Sequence, residues 1–279
     1  KARDWNGLFD SLQRKAEFLE GADRLDVQAE LADIAEKRLD TPDEAISLWR
    51  EILEADGSNG SAFSALERLY EKGGRETELL SLYAEAAGDS SDEERLALLR
   101  KVADTAQRKL GDDEKAATAL YQILELAPDD AGAENRLREI LVGRCEWTAL
   151  EELYGSRERW SALVGVLSSA ADRAVDIVEK TDLYARLGRV CMEQLGNEAA
   201  ALECWERIRE ISPDNEDAAR RLIPHLRAVG EYEGLASALA TVISTEPEDG
   251  DDMMVELAEI LETQLARPGE AYEWLTRLL

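Results

Sequence analysis

Leu39-Asp40-Thr41-Pro42-Asp43-Glu44-Ala45-Ile46-Ser47-Leu48-Trp49 places a helix end, an acidic turn and an alanine-led apolar run side by side. The same order returns from Leu110, Leu195 and Leu265, at spacings of 71, 85 and 70 residues. The apolar runs are Ala45-x3-Trp49, Ala116-x3-Leu120, Ala201-x3-Trp205 and Ala271-x3-Leu275. A fixed period in this range marks a stacked array, in which no unit buries its apolar face without a neighbour. The sequence therefore predicts an all-α solenoid.

Working outward from that stretch, each period of about seventy residues reads as four helices, or about sixteen in all. In the first, Trp5-x2-Leu8-x3-Leu12-x3-Ala16 opens the unit, and Leu31, Ile34, Ala35 and Leu39 form a second stripe. Ala45, Leu48, Trp49, Ile52 and Leu53 form the third, and Ala62, Ala65, Leu66, Leu69 and Tyr70 the fourth. Leu137, Ile140 and Leu141, then Leu222 and Leu226, repeat that fourth stripe. All follow i, i+3, i+4 spacing. Thr41-Pro42-Asp43-Glu44, Ser91-Asp92-Glu93-Glu94 and Asp176-x2-Glu179 read as capping boxes, with Asp112 and Asn197 as further caps. Short connections make consecutive helices antiparallel.

The spacing of 85 breaks the period, and the excess lies around 144–160. There Glu146-Trp147-Thr148-Ala149-Leu150 and Arg159-Trp160-Ser161-Ala162-Leu163 are near copies. They predict an extra short helix at 146–154. The expected organisation is one sub-array at 1–143, an extra helix and break at 144–156, and a second sub-array at 157–279.

Composition supports helix throughout: 44% of the 279 residues are apolar, and only 6 are proline. The net charge of −28 argues against nucleic acid and against anionic membranes, which need a basic face. It permits a basic protein partner and favours solubility. The acid is uneven. Residues 1–135 hold 17 basic and 32 acidic side chains, 136–227 hold 14 and 17, and 228–279 hold 2 and 12. The nearly neutral middle is a docking region or, as the spacing of its arginines favours, a zone of i, i+4 ion pairs. No stretch is long and apolar enough to span a bilayer. The chain starts at Lys1 and stops at Leu279 within a helical pattern, so both ends read as cuts through a longer array. Alanine with arginine in excess of lysine suits a bacterial source rich in G and C.

Chemistry is sparse. His225 is the sole histidine, beside a Pro224 that should kink its helix, so no zinc cluster or histidine triad is within reach of one chain. Neither a phosphate loop nor a dinucleotide fingerprint is present, and no strand is predicted. The run Glu246-Pro247-Glu248-Asp249-Gly250-Asp251-Asp252 lacks the spacing of a calcium loop and reads as an acidic turn. Cys145, Cys191 and Cys204 form no CxxC pair and fit buried thiols in a reducing compartment, the cytoplasm. Trp5, Trp49, Trp147, Trp160, Trp205 and Trp274 read as core. The expectation is a protein without enzymatic activity, cofactor or metal.

Two helical hairpins per period, about 35 residues each, resemble the tetratricopeptide repeat. Trp5-x2-Leu8-Phe9-x2-Leu12 and Trp160-x2-Leu163-x3-Leu167 resemble the first half of its motif, with the small glycine missing or shifted. Ala116-x3-Leu120-x2-Ile123-x4-Pro128 and Ala201-x3-Trp205-x2-Ile208-x4-Pro213 resemble the second half. Ala45-x3-Trp49-x2-Ile52 matches but ends at Gly57. The resemblance implies a right-handed superhelix whose first helices line a concave groove. Facing that groove would be Asn6, Asp10, Gln13 and Arg14; Thr77, Ser81 and Ala84; Ser161, Gly165, Ser168 and Ser169; and Glu233, Ser237, Ala240 and Thr241. Small linings admit a partner backbone or close packing between repeats equally well. The lysine-and-asparagine clamp for C-terminal carboxylates that some family members carry has no counterpart. The implied function is a scaffold or adaptor that binds a peptide or helix of another protein. The alternatives are the recruiting arm of a larger enzyme or of a secretion or motility machine, and an acidic acceptor for a basic protein.

Overall fold

The computed structural model describes residues 4–88, 90–245 and 251–277. These form sixteen α-helices and no strand. The chain divides into two compact units, Lys1–Arg144 and Cys145–Leu279.

In unit 1 the helices are α1 (Trp5–Ala16), α2 (Gly21–Ile34), α3 (Pro42–Ala55), α4 (Gly60–Gly73), α5 (Glu76–Gly88), α6 (Asp92–Asp104), α7 (Asp113–Leu126) and α8 (Ala131–Gly143). Each packs on the next. Ion pairs also join helices two apart: Glu36 with Arg68 between α2 and α4, Glu67 with Lys101 at 2.5 Å between α4 and α6, and Asp104 with Arg136 at 2.7 Å between α6 and α8. The even helices thus lie side by side as one layer. Arg75, just ahead of α5, reaches Asp43 of α3 at 2.8 Å in the other layer.

Unit 2 holds α9 (Trp147–Gly155), α10 (Trp160–Arg173), α11 (Ile177–Arg189), α12 (Glu198–Ile211), α13 (Glu216–Val229), α14 (Tyr232–Thr245), α15 (Asp251–Thr263) and α16 (Pro268–Leu275). Arg186 of α11 reaches Glu151 of α9 at 2.9 Å, and Arg227 of α13 reaches Glu256 of α15 at 2.8 Å. Helix α13 runs through Pro224 without being divided. Its core is continuous from Cys191 to Ala271.

The period seen in the sequence has a structural cause at the end of one helix in each repeat, α2, α6, α11 and α15. Helices α2, α6 and α11 run on into π-helical turns at Ala35–Leu39, Thr105–Leu110 and Val190–Gln194. A left-handed residue follows each marker leucine: Asp40 (φ 55°), Gly111 (66°), Gly196 (60°) and Ala266 (56°). The next N–H then donates six residues back, Thr41 to Ala35, Asp112 to Ala106, Asn197 to Cys191 and Arg267 to Leu261, at 2.7–3.0 Å. This left-handed cap satisfies carbonyls the helix end would leave bare. The marker leucines are therefore terminal rather than central: Leu110 and Leu195 are 36% and 39% exposed. The buried position is five residues earlier, where Ile34, Thr105, Val190 and Ile260 share β-branched shape.

Caps follow the sequence in part. Asp112, Asp176 and Asn197 each accept a backbone N–H of the following turn. Thr41 and Ser91 do not: their hydroxyls donate to Glu44 and Glu94 instead. Trp49, Trp147 and Trp205 are buried, as a core reading requires, whereas Trp5 and Trp160 are only half-buried.

Candidate functional site

The expected groove residues lie on α1, α5, α10 and α14, two helices in each unit. Asn6, Asp10, Gln13 and Arg14 of α1 are exposed, as are Thr77, Ser81 and Ala84 of α5. In unit 2, Ser161, Gly165, Ser168 and Ser169 are exposed on α10, and Glu233 and Ser237 on α14, with Ala240 and Thr241 half-buried. Several of these polar groups are already engaged. Ser81 donates to the Thr77 carbonyl at 3.2 Å, and Thr241 to the Ser237 carbonyl at 3.1 Å. Glu233 pairs with Arg267 at 2.7 Å. Gly165 is different: a β-carbon there would meet nothing within 4 Å.

Concavities occur on another set of helices. In unit 1 an open depression of about 750 Å³ lies over α2 and α4, lined by Glu30, Asp33, Ile34, Lys37 and Arg38 of α2 and its π-helical turn. Ser61, Ser64 and Arg68 of α4 form its far wall, and Trp5 and Trp49 contribute aromatic surface. In unit 2 a depression of about 530 Å³ lies over α9 and α11. Its lining includes Arg186, Arg189, Val190, Glu193 and Gln194, with Thr148, Glu151 and Glu152 opposite and Trp160 alongside. The two sets of five residues correspond one to one, shifted by 156 residues, the offset between Leu39 and Leu195. A helix face that opens into a concavity thus recurs in both units.

Charge on this face is organised by local partners. In unit 1 the Arg38 guanidinium lies 4.9 Å over the Trp5 ring, Lys37 pairs with Asp33 at 2.7 Å, and Arg68 pairs with Glu36. In unit 2 Arg186 is held by Glu151 at 2.9 Å and Asp182 at 2.7 Å. Its burial opposes the charge, and the two carboxylates outweigh that and raise its pKa. Several arginines of the middle of the sequence are engaged in such pairs, including Arg220 with Glu216 and Arg221 with Asp217 at i, i+4.

The thiols divide. Cys191 is buried, and burial pushes the Cys204 thiol up to about 12, with Cys191 and Glu203 adding to the effect. Cys145 departs from the expected burial: it is exposed, left-handed at φ 55°, and its Sγ donates to Glu179 at 3.4 Å. Burial and the Glu179 carboxylate both raise its pKa, away from thiolate chemistry. Among the described residues no group of three His, Cys, Asp or Glu could hold a metal ion, and no helix is long and apolar enough to cross a membrane. Residues 246–250 of the acidic run lie outside the described residues.

Sequence reasoning missed the second-helix face because it follows the apolar stripe. The polar face opposite that stripe carries charges at 30, 33, 37 and 38 and at 186, 189 and 193, the same helical spacing at the same offset.

No family model matches the chain, and no curated protein matches it. Among solved structures, the chain is similar to the TPR2AB domain of yeast Sti1 in a pHSP90 complex, at 16% identity over 87% of this chain and 98% of that one, TM-score 0.33. It is also similar to YrrB, described as a TPR protein with an unusual peptide-binding site, at 16% identity over 79% and 98%, TM-score 0.30. A third similarity, to Naa15/Naa10 bound to HypK-THB, has 13% identity over 98% of this chain and 45% of that one, TM-score 0.33. The fold itself rests on the chain's own helices, and in their repeat it is similar to tetratricopeptide-repeat proteins.

Proposed function

We propose that this protein is a scaffold for protein–protein interaction, binding a peptide or helix of a partner along the recurring second-helix face. The observation that carries the reading is the one-to-one correspondence of Glu30, Asp33, Ile34, Lys37 and Arg38 with Arg186, Arg189, Val190, Glu193 and Gln194, each set lining an open depression. Arrays of this kind bind through many weak contacts over an extended surface. The three free thiols support a cytoplasmic location.

The exposed small residues of α10 favour a second reading, in which the partner lies along the first helices. Gly165 has open space where a side chain would stand, so bulky groups fit there without disturbing the fold. The experiment is capture of partners from a source lysate with the wild type and two variants. One carries bulky residues at Ser161, Gly165 and Ser169, the other Arg189→Glu with Glu152→Lys. Loss of the principal partner in the second variant alone places the site on the second-helix face; loss in the first alone moves it to α10. Retention in both overturns both placements. Parallel washes at low and several-fold higher salt separate groove binding, which holds, from an acidic acceptor of basic proteins, which releases them. A partner that is itself an enzyme or a secretion or motility component would favour the recruiting-arm role.

A further inference from the structure

In unit 1 the aromatic floor of the depression already has a cation on it. Arg38 stands 4.9 Å over the Trp5 ring, a distance at which the guanidinium is attracted by the ring face. Trp160 opens α10 as Trp5 opens α1, and it lines the corresponding depression of unit 2. At the position equivalent to Arg38, however, unit 2 carries Gln194, and at the position of Lys37 it carries Glu193. The basic pair beside the indole in unit 1 is thus replaced by a neutral and an acidic residue. Among the described residues Trp160 has no cation over its ring, and neither Glu193 nor Glu152 has an ion-pair partner. Both carboxylates are exposed and line the same depression. Two cations line the same depression, Arg186 and the exposed Arg189. Arg186 is held between Glu151 and Asp182, and Arg189 lies at the register of Asp33.

We infer that the depression of unit 2 is a seat for an arginine or lysine side chain of a partner segment. The cation stacks on Trp160 as Arg38 stacks on Trp5, with Glu193 and Glu152 as its counter-charges. The seat in unit 1 is filled by the chain itself; the seat in unit 2 is filled from outside. This rests on the proposed role of the second-helix face and adds the chemistry of what that face accepts. A basic anchor also agrees with the field of a chain of net charge −28.

The test uses the indole N–H signal of Trp160 in the full chain, assigned with Trp160→Phe. The probes are three N-acetylated, C-amidated tripeptides, Leu-Arg-Leu, Leu-Gln-Leu and Leu-Glu-Leu. The arginine peptide is expected to move the Trp160 signal saturably and at least several-fold more tightly than the other two. Gln194→Arg fills the seat from within and is expected to abolish that response. Gln194 is exposed, so the change does not threaten folding. Equal responses to the arginine and glutamate peptides, no response at Trp160, or a response that survives Gln194→Arg would each overturn the inference. Partner capture lost in the Arg189 and Glu152 variant would in that case still stand, so the face and its chemistry fail separately.

Discussion

A left-handed backbone is the residue-scale signature of this chain, and it comes in two chemistries. Gly111 and Gly196 adopt it without a β-carbon, whereas Ala266 adopts it with one, which costs about 1–2 kcal/mol. Replacing Ala266 by glycine is therefore expected to stabilise the fourth repeat by about 1 kcal/mol, and Gly196→Ala to destabilise the third by a similar amount. Urea midpoints of the two variants check the pair, and equal effects of one sign would refute the argument. Glu67 offers a titration. Its carboxylate accepts from Tyr83 at 2.6 Å and from Lys101 at 2.5 Å, while Lys101 lies 5.0 Å over the Tyr83 ring. Burial opposes the charge, but these hydrogen bonds outweigh it and hold the carboxyl below the usual range. A depressed folded pKa gives stability that is present above the unfolded value of about 4.3 and lost as pH falls through the folded one. Between pH about 5 and about 3 the wild type should lose more stability than Glu67→Gln, measured by denaturant unfolding at each pH.

At the scale of the element, the same capping sequence turns out to do two things. Asp176 accepts the Glu179 N–H at 2.9 Å and closes the first turn of α11. Thr41 heads the clearest capping box in the sequence, yet its hydroxyl donates to Glu44 and to the Ala35 carbonyl of the π-helical turn. Asp176→Ala is expected to cost about 1 kcal/mol, as loss of a working cap does. Thr41→Ala should cost clearly less, and thermal unfolding of the two variants decides it. The sequence could locate both boxes because residue types and spacing are local. It could not say where the Thr41 hydroxyl turns, because the π-helical turn that brings Ala35 close lies across the chain reversal at Asp40. Trp5 and Trp160 teach the same lesson: they match the buried tryptophans in spacing, but their exposure depends on which neighbouring helix covers them.

Over the whole molecule, charge and repetition govern stability. Individual ion pairs such as Arg227 with Glu256 are surface-exposed and weak. The self-repulsion of a net charge of −28 is summed over every helix. Screening should therefore stabilise the chain: the melting temperature is expected to rise as sodium chloride goes from about 20 mM to about 300 mM, where the Debye length falls several-fold. A fall would mean that the ion pairs dominate. Each repeat leans on its nearest neighbours. Trp205→Ala, which removes about 3–5 kcal/mol of core, should strip hydrogen-exchange protection from α11 to α14 and leave α2 to α7 protected.

The sequence by itself determined the all-helical class, the period and the number of helices among the described residues, because helical spacing, turn residues and left-handed glycines are read within a few residues of one another. It also carried the two sets of charges at an offset of 156 residues. Only tertiary structure decided which face opens into a concavity, which cations are already paired, and that Trp5 wears Arg38 while Trp160 stands beside Gln194. Those facts are set by contacts between side chains tens of residues apart, brought together by packing that no local pattern encodes.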